Sequence, residues 1–324
     1  MCYIGGNVMK IVSSAKLKTK IKERLISNFP NFEFSFRKNI NEAIGDLVEA
    51  DVLITYGEDL TDEIIVQAKN LKWIMVISAG LDQMPFTTIK EKRILVTNAR
   101  GIHKIPMAEY AISMMLQVAR QTKKLIKNEQ DHIWDRTIPM TELNGKTVGV
   151  LGAGAIGTQI AKYAQVFNMR TIGLNRSGTK VESFDKMVTM STINDLLQQS
   201  DFIVSVLPST PETDGIINSE IFKQMKETSV FINMGRGKSV IEKDLILALE
   251  DGEIAHAVLD VFENEPLPSD HPFWDMEKVT ITPHLSGISA QYQQRAMEIF
   301  EKNLGVFLAG RHDYINVIDP DKGY

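Results

Sequence analysis

The sequence of 324 residues contains a single cysteine, Cys2, so no disulfide bond can form within the chain. It has no apolar run long enough to span a membrane, and its first residues lack the basic and apolar regions of a signal peptide. Basic residues are not in excess, because 41 acidic side chains outnumber 36 basic ones. These features argue against disulfide-stabilised, membrane-bound and nucleic-acid-binding proteins, and we expect a cytoplasmic protein.

The sequence also lacks internal repeats and low-complexity tracts. Short apolar runs such as "DVLITYG" and "KWIMVISAG" alternate with helix-like segments, and a second series begins at "KTVGVLGAG" and ends at "VTITPH". Such runs are typical of buried parallel strands joined by helices. The chain is long enough for two domains, so we predict an α/β fold with two parallel sheets. The tail "INVID" could return to the first domain.

A long apolar segment runs from about Pro106 to Lys127, and its pattern predicts one helix with little polar surface. A helix of this kind should be buried between domains or between subunits. Because an exposed apolar surface of that size would favour aggregation, the segment suggests a homodimer.

A glycine-rich loop, "GVLGAGAIG", gives the first indication of function. Its glycines stand directly after the apolar run "TVGVL" and before the helical run "AIGTQIAKYAQVF". In this context the first glycine permits a tight turn, the second lets a pyrophosphate approach the backbone, and the third allows close packing of helix on strand. A merely glycine-rich turn is the alternative. We expect the loop to bind a nucleotide cofactor through Gly152, Gly154, Ala155, Ile156 and Gly157.

The segment after the next strand lacks the acidic residue that usually binds the cofactor ribose, and "LNRSGTK" stands there instead. An acid at that point would repel the 2′-phosphate of NADP, whereas an arginine nearby accommodates it. Asn175 replaces the acid, Arg176 can form charge-assisted hydrogen bonds to phosphate oxygens, and Ser177 can donate from its hydroxyl. We therefore predict a preference for NADP(H), with NAD(H) as the second cofactor. In the alternative interpretation, Arg176 is an ordinary solvated turn residue.

Three chemically active side chains follow three further strand-like runs. Arg236 follows "SVFINMG", Glu265 lies beyond "AHAVLDVF", and His284 follows "VTITP". Ligands of open parallel sheets bind at the carboxyl ends of the strands, so these residues can meet at one edge. Together they suit the reduction of a 2-oxo acid, because a protonated histidine supplies a proton, a glutamate stabilises the imidazolium and an arginine binds the carboxylate. Taken singly, each residue is more often structural, and only their joint placement behind a dinucleotide-binding pattern favours the catalytic interpretation.

These motifs resemble those of the D-isomer-specific 2-hydroxyacid dehydrogenase family, through "GVLGAGAIG", "INMGRGKSVIEKDLILALEDGEIAHAVLDVFENEPLP" and "ITPHLSG". The resemblance implies two doubly wound parallel-sheet domains. A flavodoxin-like substrate domain would comprise residues 1–103 and 290–324, and a Rossmann cofactor domain residues 104–289. By the same resemblance, Arg236 binds and polarises the substrate, Glu265 is the partner of the histidine, and His284 is the acid/base. We expect no metal ion in the site.

The resemblance also implies further assignments. Asp260 would lie near the nicotinamide carboxamide, and five other residues would line the cofactor pocket: Leu207, Pro208, Thr213, Met234 and Gly235. In the substrate domain, the backbone amides of Ala79 and Gly80 would receive the substrate carboxylate. Candidates for lining that pocket are Ser78, Leu81 and Arg100. Trp134 falls where relatives place an aromatic residue near a domain or subunit boundary, and core packing is its expected role.

The expected activity is the NAD(P)H-dependent reduction of a small 2-oxo acid to the D-2-hydroxy acid. Glyoxylate or hydroxypyruvate is the first expectation, and a larger branched or aromatic 2-oxo acid the second. We expect the domains to close over the substrate and exclude water. One alternative is a 3-phosphoglycerate dehydrogenase-like enzyme, although the first domain shows no basic cluster for a substrate phosphate. The other is a non-catalytic, dinucleotide-sensing interaction protein, which the complete set of three active side chains disfavours.

Overall fold

The computed structural model describes residues 8–78, 81 and 84–320. The chain divides into two compact units. The first comprises Met1–Ile102 and Ser289–Tyr324, and the second comprises His103–Ile288.

Strands and helices alternate through both units. The described residues form twelve strands: β1 (Lys10–Ser13), β2 (Glu33–Phe36), β3 (Val52–Thr55), β4 (Trp73–Val76), β5 (Leu95–Asn98), β6 (Thr147–Leu151), β7 (Arg170–Leu174), β8 (Lys186–Val188), β9 (Phe202–Ser205), β10 (Val230–Asn233), β11 (His256–Leu259) and β12 (Val279–Ile281). The same residues form eleven α-helices: α1 (Thr19–Asn28), α2 (Ile40–Leu47), α3 (Asp62–Gln67), α4 (Phe86–Glu91), α5 (Lys104–Ala119), α6 (Thr122–Gln130), α7 (Ala155–Val166), α8 (Asn194–Leu197), α9 (Ser219–Lys223), α10 (Glu242–Glu250) and α11 (Tyr292–Leu308).

The sheet of the first unit has the strand order β2-β1-β3-β4-β5, and every pairing in it is parallel. This is the flavodoxin-like order. Successive residues of β3 alternate between two hydrophobic clusters, with Val52 and Ile54 in one and Leu53 in the other. Both faces of the sheet are therefore covered, which explains why its central strands are continuously apolar in sequence.

The segment after α11 lies against the same sheet. Thr97 of β5 forms an antiparallel bridge with Val317, and the N–H of Ile318 donates to the carbonyl of Val96. Ile318 is buried in the hydrophobic cluster beneath. The tail "INVID" thus extends the sheet of the first unit at its β5 edge.

The sheet of the second unit has the order β12-β11-β10-β9-β6-β7-β8, again with parallel pairings. Counted from its own first strand, β6, this is the Rossmann order with one more strand at the β12 edge. The prediction of two doubly wound parallel sheets is confirmed. Sequence reasoning missed β8, because three residues beginning with a lysine are too few to show a strand pattern.

Helix α5 packs on α7 in the core of the second unit, with Ala108, Ala111 and Met115 buried. The prediction of one helix through this region is wrong. Gln121 has a φ of 54°, a left-handed conformation that ends the hydrogen-bonded run, and α6 begins directly after it. Within the described ranges of the chain, no helix combines the length and apolar character needed to cross a membrane.

Candidate active site

The carboxyl ends of six neighbouring strands of the second unit lie in one row. The pairing register places the last residues of β7, β6, β9, β10, β11 and β12 side by side: Leu174, Leu151, Ser205, Asn233, Leu259 and Ile281. The loop after each of these strands therefore starts at the same level of the sheet. Ligands of open α/β sheets bind at this edge, so residues far apart in sequence converge there.

The glycine loop after β6 has the geometry of a phosphate cradle. Gly152 has a φ of 111°, which favours glycine, and Gly154 caps the N-terminus of α7 without a side-chain hydrogen bond. A Cβ atom on Gly157 would lie 2.2 Å from the carbonyl oxygen of Gly152, so the close approach of helix and loop requires glycine there. Ala155 and Ile156 form the first turn of α7, whose free backbone N–H groups suit a pyrophosphate.

The loop after β7 offers an acceptor next to a cation. The Nδ2 atom of Asn175 donates to the carbonyl of Thr179 at 2.9 Å. Its Oδ1 atom is buried and finds no hydrogen-bond partner within the described structure, which fits a bound hydroxyl such as that of a ribose. Arg176 and Ser177 are exposed beside it, and the Ser177 hydroxyl shares a 2.6 Å hydrogen bond with that of Thr179.

An acidic side chain lies near the loop after β7. The pKa of the Glu212 carboxyl is held below its usual range by a hydrogen bond from the Thr210 side chain and by its own backbone N–H, and the charge of Arg176 adds to the effect. Arg176 is therefore exposed to solvent and also interacts electrostatically with the Glu212 carboxylate. Sequence reasoning missed this acid, since it stands in a different loop.

A narrow apolar slot opens at the same edge. It is lined by aliphatic side chains and methionine from several loops and strands: Leu151, Leu174, Met190, Ile193, Leu207, Ile216, Ile217 and Ile221. Its volume is only about 10 Å³, so the slot does not hold an adenine ring as it stands. The cradle and the free Asn175 oxygen are the features that fit a dinucleotide.

The loop after β9 is held by one threonine. The hydroxyl of Thr213 donates to the carbonyl of Pro208 at 2.6 Å and accepts from the N–H of Thr210 at 2.9 Å. Leu207 is buried, and a Cβ atom on Gly235 would lie 2.5 Å from its carbonyl oxygen. Thr213 thus holds the loop through its hydroxyl, and Leu207 and Gly235 shape it through the close contact of their backbones. Met234 is also buried, with its side chain in the core.

Arg236 follows β10 in a turn that hydrogen bonds hold in place. Its carbonyl accepts from the Oγ atom of Ser239 at 2.7 Å and from the Nδ2 atom of Asn233 at 3.2 Å. Its Nη1 atom donates to the carbonyl of Gly235 at 2.9 Å, and the side chain is exposed. The fixed backbone leaves the guanidinium able to bind an anion.

The structure brings Glu265 and His284 into direct contact. The Nδ1 atom of His284 lies 2.7 Å from Oε2 of Glu265, and Oε1 of Glu265 accepts from the N–H of Phe262 at 3.0 Å. Because a carboxylate only accepts, Nδ1 carries the proton and Nε2 is the ring atom available for proton exchange. The His284 side chain is half exposed, at 51%.

The turn that carries His284 is fixed by Asp260, which is fully buried. Its Oδ1 atom accepts from the Thr282 hydroxyl at 2.6 Å and from the N–H of Leu285 at 2.9 Å, and Oδ2 accepts from the N–H of Ser286 at 2.9 Å. His284 has a φ of 50°, and its own N–H donates to the Asp260 carbonyl. The Asp260 carboxylate therefore supports the turn, a role that sequence reasoning did not predict.

Tyr110 of α5 extends this network. Its hydroxyl lies 2.6 Å from Thr282 Oγ1. Since Thr282 donates to Asp260, Tyr110 donates to Thr282. Burial raises the pKa of Tyr110 above its ordinary value, with a smaller contribution from the Asp260 charge. In the sequence, Tyr110 is recognisable only as one polar group in an apolar helix.

The residues predicted in the first unit are less closely tied to a site. The Ser78 hydroxyl donates to the carbonyl of Tyr56 at 2.9 Å, whereas Ala79 and Gly80 lie outside the described residues. Leu81 is buried in the core, and Arg100 is exposed.

Trp134, in the second unit, is 91% exposed. The prediction that Trp134 packs in the core is therefore wrong. The ten residues 133–142 around it form neither helix nor strand, so the segment cannot fold an apolar face onto the core.

Comparisons with known proteins agree with this geometry. The family model described as "D-isomer specific 2-hydroxyacid dehydrogenase, NAD binding domain" matches residues 112–286. The hydroxypyruvate reductase of Blautia hydrogenotrophica is 30% identical over 290 residues, which are 87% of this chain and 88% of that protein. The D-3-phosphoglycerate dehydrogenase of Methanocaldococcus jannaschii is 35% identical over 272 residues, which are 83% of this chain but 52% of that protein.

A solved structure gives the same result for the fold. The NADPH-dependent glyoxylate/hydroxypyruvate reductase of Sinorhizobium meliloti, in complex with NADP and sulfate, matches with a TM-score of 0.80 and 27% identity. The match covers 98% of this chain and 100% of that one. The likeness therefore extends through both units.

Proposed function

Because the chain belongs to the D-isomer specific 2-hydroxyacid dehydrogenase family and is an NAD(P)-dependent oxidoreductase, we propose that it reduces glyoxylate or hydroxypyruvate with NADPH. The product is the D-2-hydroxy acid. The contact between Glu265 and His284 at the strand-end row carries the proposal. A half-exposed imidazole bound by a carboxylate through Nδ1 is suited to proton transfer through Nε2.

The chain's own residues supply the proton and the binding charges. When bound, the nicotinamide cofactor supplies a hydride to the carbonyl carbon. His284 donates a proton from Nε2 to the carbonyl oxygen, so that the carbonyl becomes a hydroxyl. Glu265 stabilises the positive charge that the imidazole carries before the transfer. Arg236 binds the substrate carboxylate by charge-assisted hydrogen bonds.

The preference for NADPH is supported by the loop after β7. Asn175 leaves a neutral acceptor where an acid would repel a 2′-phosphate, and exposed Arg176 and Ser177 stand beside it as donors. The S. meliloti reductase is named as NADPH-dependent.

The choice of substrate is supported by the relatives named hydroxypyruvate reductase and glyoxylate reductase. In this proposal the first unit is the substrate domain and the second the cofactor domain. That the backbone amides of Ala79 and Gly80 receive the substrate carboxylate stays a prediction, since both residues lie outside the described ones. A cytoplasmic location stays a prediction that rests on the single cysteine.

The protein acts as a homodimer in this proposal. An open groove of about 750 Å³ lies along α5 and α7, and half of its ten lining residues are apolar, among them Ile112, Leu116 and Phe167. The second unit also exposes Trp134 and Ile133, at 91% and 53%. A twofold interface requires a self-complementary surface, and an exposed apolar side chain together with an apolar groove on the same unit supports one.

Initial rates test the catalytic proposal. Oxidation of NADPH and of NADH is measured in parallel with glyoxylate, hydroxypyruvate, pyruvate, 2-oxoisocaproate, phenylpyruvate and 3-phosphohydroxypyruvate. We expect the highest kcat/KM with NADPH and one of the first two acids, and loss of turnover in His284→Gln but not in the exposed control His312→Gln. Highest kcat/KM with the phosphorylated acid would instead support a phosphoglycerate dehydrogenase. Tight NADPH binding without turnover would support a sensing protein.

Light scattering coupled to gel filtration tests the dimer. The native protein should elute with twice the chain mass, and Trp134→Asp should shift it towards the monomer. Val66→Asp, at a 56% exposed position in the first unit, is the control and should leave the mass unchanged. A native monomer at working concentration would contradict the dimer.

A further inference from the structure

The segment that carries Glu265 is a loop, yet the Glu265 carboxylate must be held in contact with Nδ1 of His284. Residues 261–271 between β11 and the short 3₁₀ turn Pro272–Trp274 contain no helix or strand. A loop of this kind needs contacts from elsewhere to fix a side chain. The contact from the Phe262 N–H orients Glu265 locally but does not fix Phe262 itself.

Glu242, in the first turn of α10, binds the loop at two points. Its Oε1 atom accepts from the N–H of Glu263 at 2.9 Å, and its Oε2 atom lies 3.4 Å from Nε2 of His271. The two side chains of this pair are only 15% and 18% exposed. A charged group this well covered is held by its partners rather than by solvent. One carboxylate thus joins the beginning of the loop to its end.

The protonation of His271 follows from its second contact. Its Nδ1 atom accepts from the N–H of Phe273 at 3.3 Å, so Nδ1 bears no proton and the ring proton lies on Nε2, the atom that faces Glu242. The imidazole also packs on the Phe273 ring, with centroids 4.6 Å apart, and Phe273 is 1% exposed in the core. His271 therefore anchors the loop to the hydrophobic core.

The loop is also in van der Waals contact with the turn of Arg236. A Cβ atom on Gly237 would lie 1.9 Å from both the carbonyl carbon and the oxygen of Phe262. The backbone of Phe262 therefore lies directly on that turn. A shift of the loop would move Glu265 and displace the turn that carries Arg236.

From these contacts we infer that Glu242 and His271 form a positioning clamp, which holds the Glu265 carboxylate at Nδ1 of His284. Neither residue reaches the reacting atoms by any contact described here, so the clamp acts through the loop. The inference rests on the proposed function, since it assigns the clamp to the proton donor of that reaction.

Kinetics test the clamp in four variants: Glu242→Ala, Glu242→Gln, His271→Ala and His271→Gln. We expect the two alanine variants to lose between about 10-fold and 100-fold in kcat while the KM for NADPH stays unchanged, because neither residue lies in the loops after β6 and β7. His271→Gln keeps an amide donor towards Glu242 and should lose less than His271→Ala.

Three controls separate positioning from folding. Glu250→Gln, exposed on the same helix, and His312→Asn, exposed in the first unit, should match the native enzyme. The double variant Glu242→Ala/His271→Ala should lose less kcat than the product of the two single losses, because either single variant already removes the contact between the two side chains. Alanine variants with native kcat would overturn the clamp. So would a loss of kcat accompanied by an equal loss of NADPH affinity.

A measurement independent of turnover distinguishes failure of the clamp from failure of the proposed function. The proton on Nδ1 of His284, shared with Glu265, should give a strongly downfield NMR resonance that is absent in His284→Gln. We expect Glu242→Ala to shift this resonance upfield or abolish it, whatever substrate the enzyme uses. A resonance at its native position in Glu242→Ala and His271→Ala would overturn the clamp even if the reductase activity is found.

Discussion

The Nδ1 atom of His284 and the Oε2 atom of Glu265 lie 2.7 Å apart, and the second oxygen of Glu265 is bound to the backbone of Phe262. A carboxylate bound through both oxygens keeps one orientation. It fixes the ring tautomer and stabilises the charged imidazole. The chemistry of the site therefore depends on a geometry that a neutral replacement would only partly preserve.

Glu265→Gln should keep an oxygen for the imidazole N–H but lose the negative charge. We expect kcat for 2-oxo acid reduction to fall about 100-fold at neutral pH, because the imidazolium loses the charge that stabilises it. The measurement is kcat with NADPH saturating. The exposed neighbour variant Glu263→Gln is the control. A native kcat in Glu265→Gln would argue against this role.

Arg176→Ala should change the choice of cofactor. The KM for NADPH should rise about tenfold or more, since charge-assisted hydrogen bonds to the 2′-phosphate are lost, whereas the KM for NADH should stay the same. Steady-state rates with both cofactors measure this. Arg170→Ala removes an exposed arginine at the opposite end of the same strand and should affect neither value. Equal changes for the two cofactors would exclude Arg176 as a phosphate ligand.

Glu212→Gln should have the opposite effect. The carboxylate lies within electrostatic reach of Arg176 and would repel a phosphate bound there. We expect the KM for NADPH to fall about two- to threefold on its removal, with no change for NADH, because exposed charges interact weakly. Glu220→Gln, exposed at the start of α9, is the matched control. The difference should disappear at high ionic strength.

Gly157→Ala should destabilise the second unit. The added Cβ would lie 2.2 Å from the Gly152 carbonyl oxygen, so the loop or the helix must shift, at a cost of about 1 to 3 kcal/mol. We also expect weaker NADPH binding, because the same shift widens the cradle. Urea unfolding and cofactor titration measure the two effects. Gly45→Ala, in a helix where nothing lies within 4 Å of the added atom, should be neutral or slightly stabilising.

His256 should make the free energy of unfolding depend on pH. Burial, with a smaller contribution from the Lys123 charge, lowers the pKa of its imidazole from 6.5 to about 4. Above the ordinary value of 6.5 the ring is neutral in both states. Between 6.5 and about 4 only the unfolded state binds the proton, so the free energy of unfolding falls as the pH falls.

The expected loss over that window is about 3 kcal/mol. Urea unfolding of the native protein and of His256→Gln, at about pH 7 and about pH 4, measures it. The glutamine keeps a polar group near Thr280, the hydrogen-bond partner of the imidazole, and does not titrate. The pH dependence of the variant should be smaller by that amount, whereas His312→Gln should keep the native dependence. Parallel curves for the native protein and His256→Gln would contradict the prediction.

The fold could be predicted from the sequence because its strands are buried on both faces. Runs such as "DVLITYG" are apolar at successive positions, and each was followed by a loop. The strand-end rule then brought together Arg236, Glu265 and His284 without any knowledge of distances. The contact of Glu265 with His284 lay within reach of that rule. The backbone hydrogen-bond partners of these side chains could not be predicted, because every residue except proline carries the same backbone N–H.

The errors have local causes. Gln121 adopts a left-handed conformation that glycine usually takes, so nothing in its residue type indicates a break between α5 and α6. Trp134 was expected in the core because large aromatic residues are usually buried, but its segment has no regular structure to turn it inwards. Asp260 illustrates a third limit. The resemblance places Asp260 near the nicotinamide carboxamide. Only the structure shows that its carboxylate already accepts hydrogen bonds from three donors of the chain itself.

The row of strand ends has a consequence for how this protein can change. Each loop starts from the same level of a sheet whose hydrogen bonds do not involve the loop's own side chains. The proposed cofactor-selecting residues after β7 and the proposed proton donor after β12 can therefore be altered one at a time, without a change in the register of any strand. In such a scaffold, a substitution in a loop can change the specificity of the site while the strand pairing that stabilises the sheet stays the same.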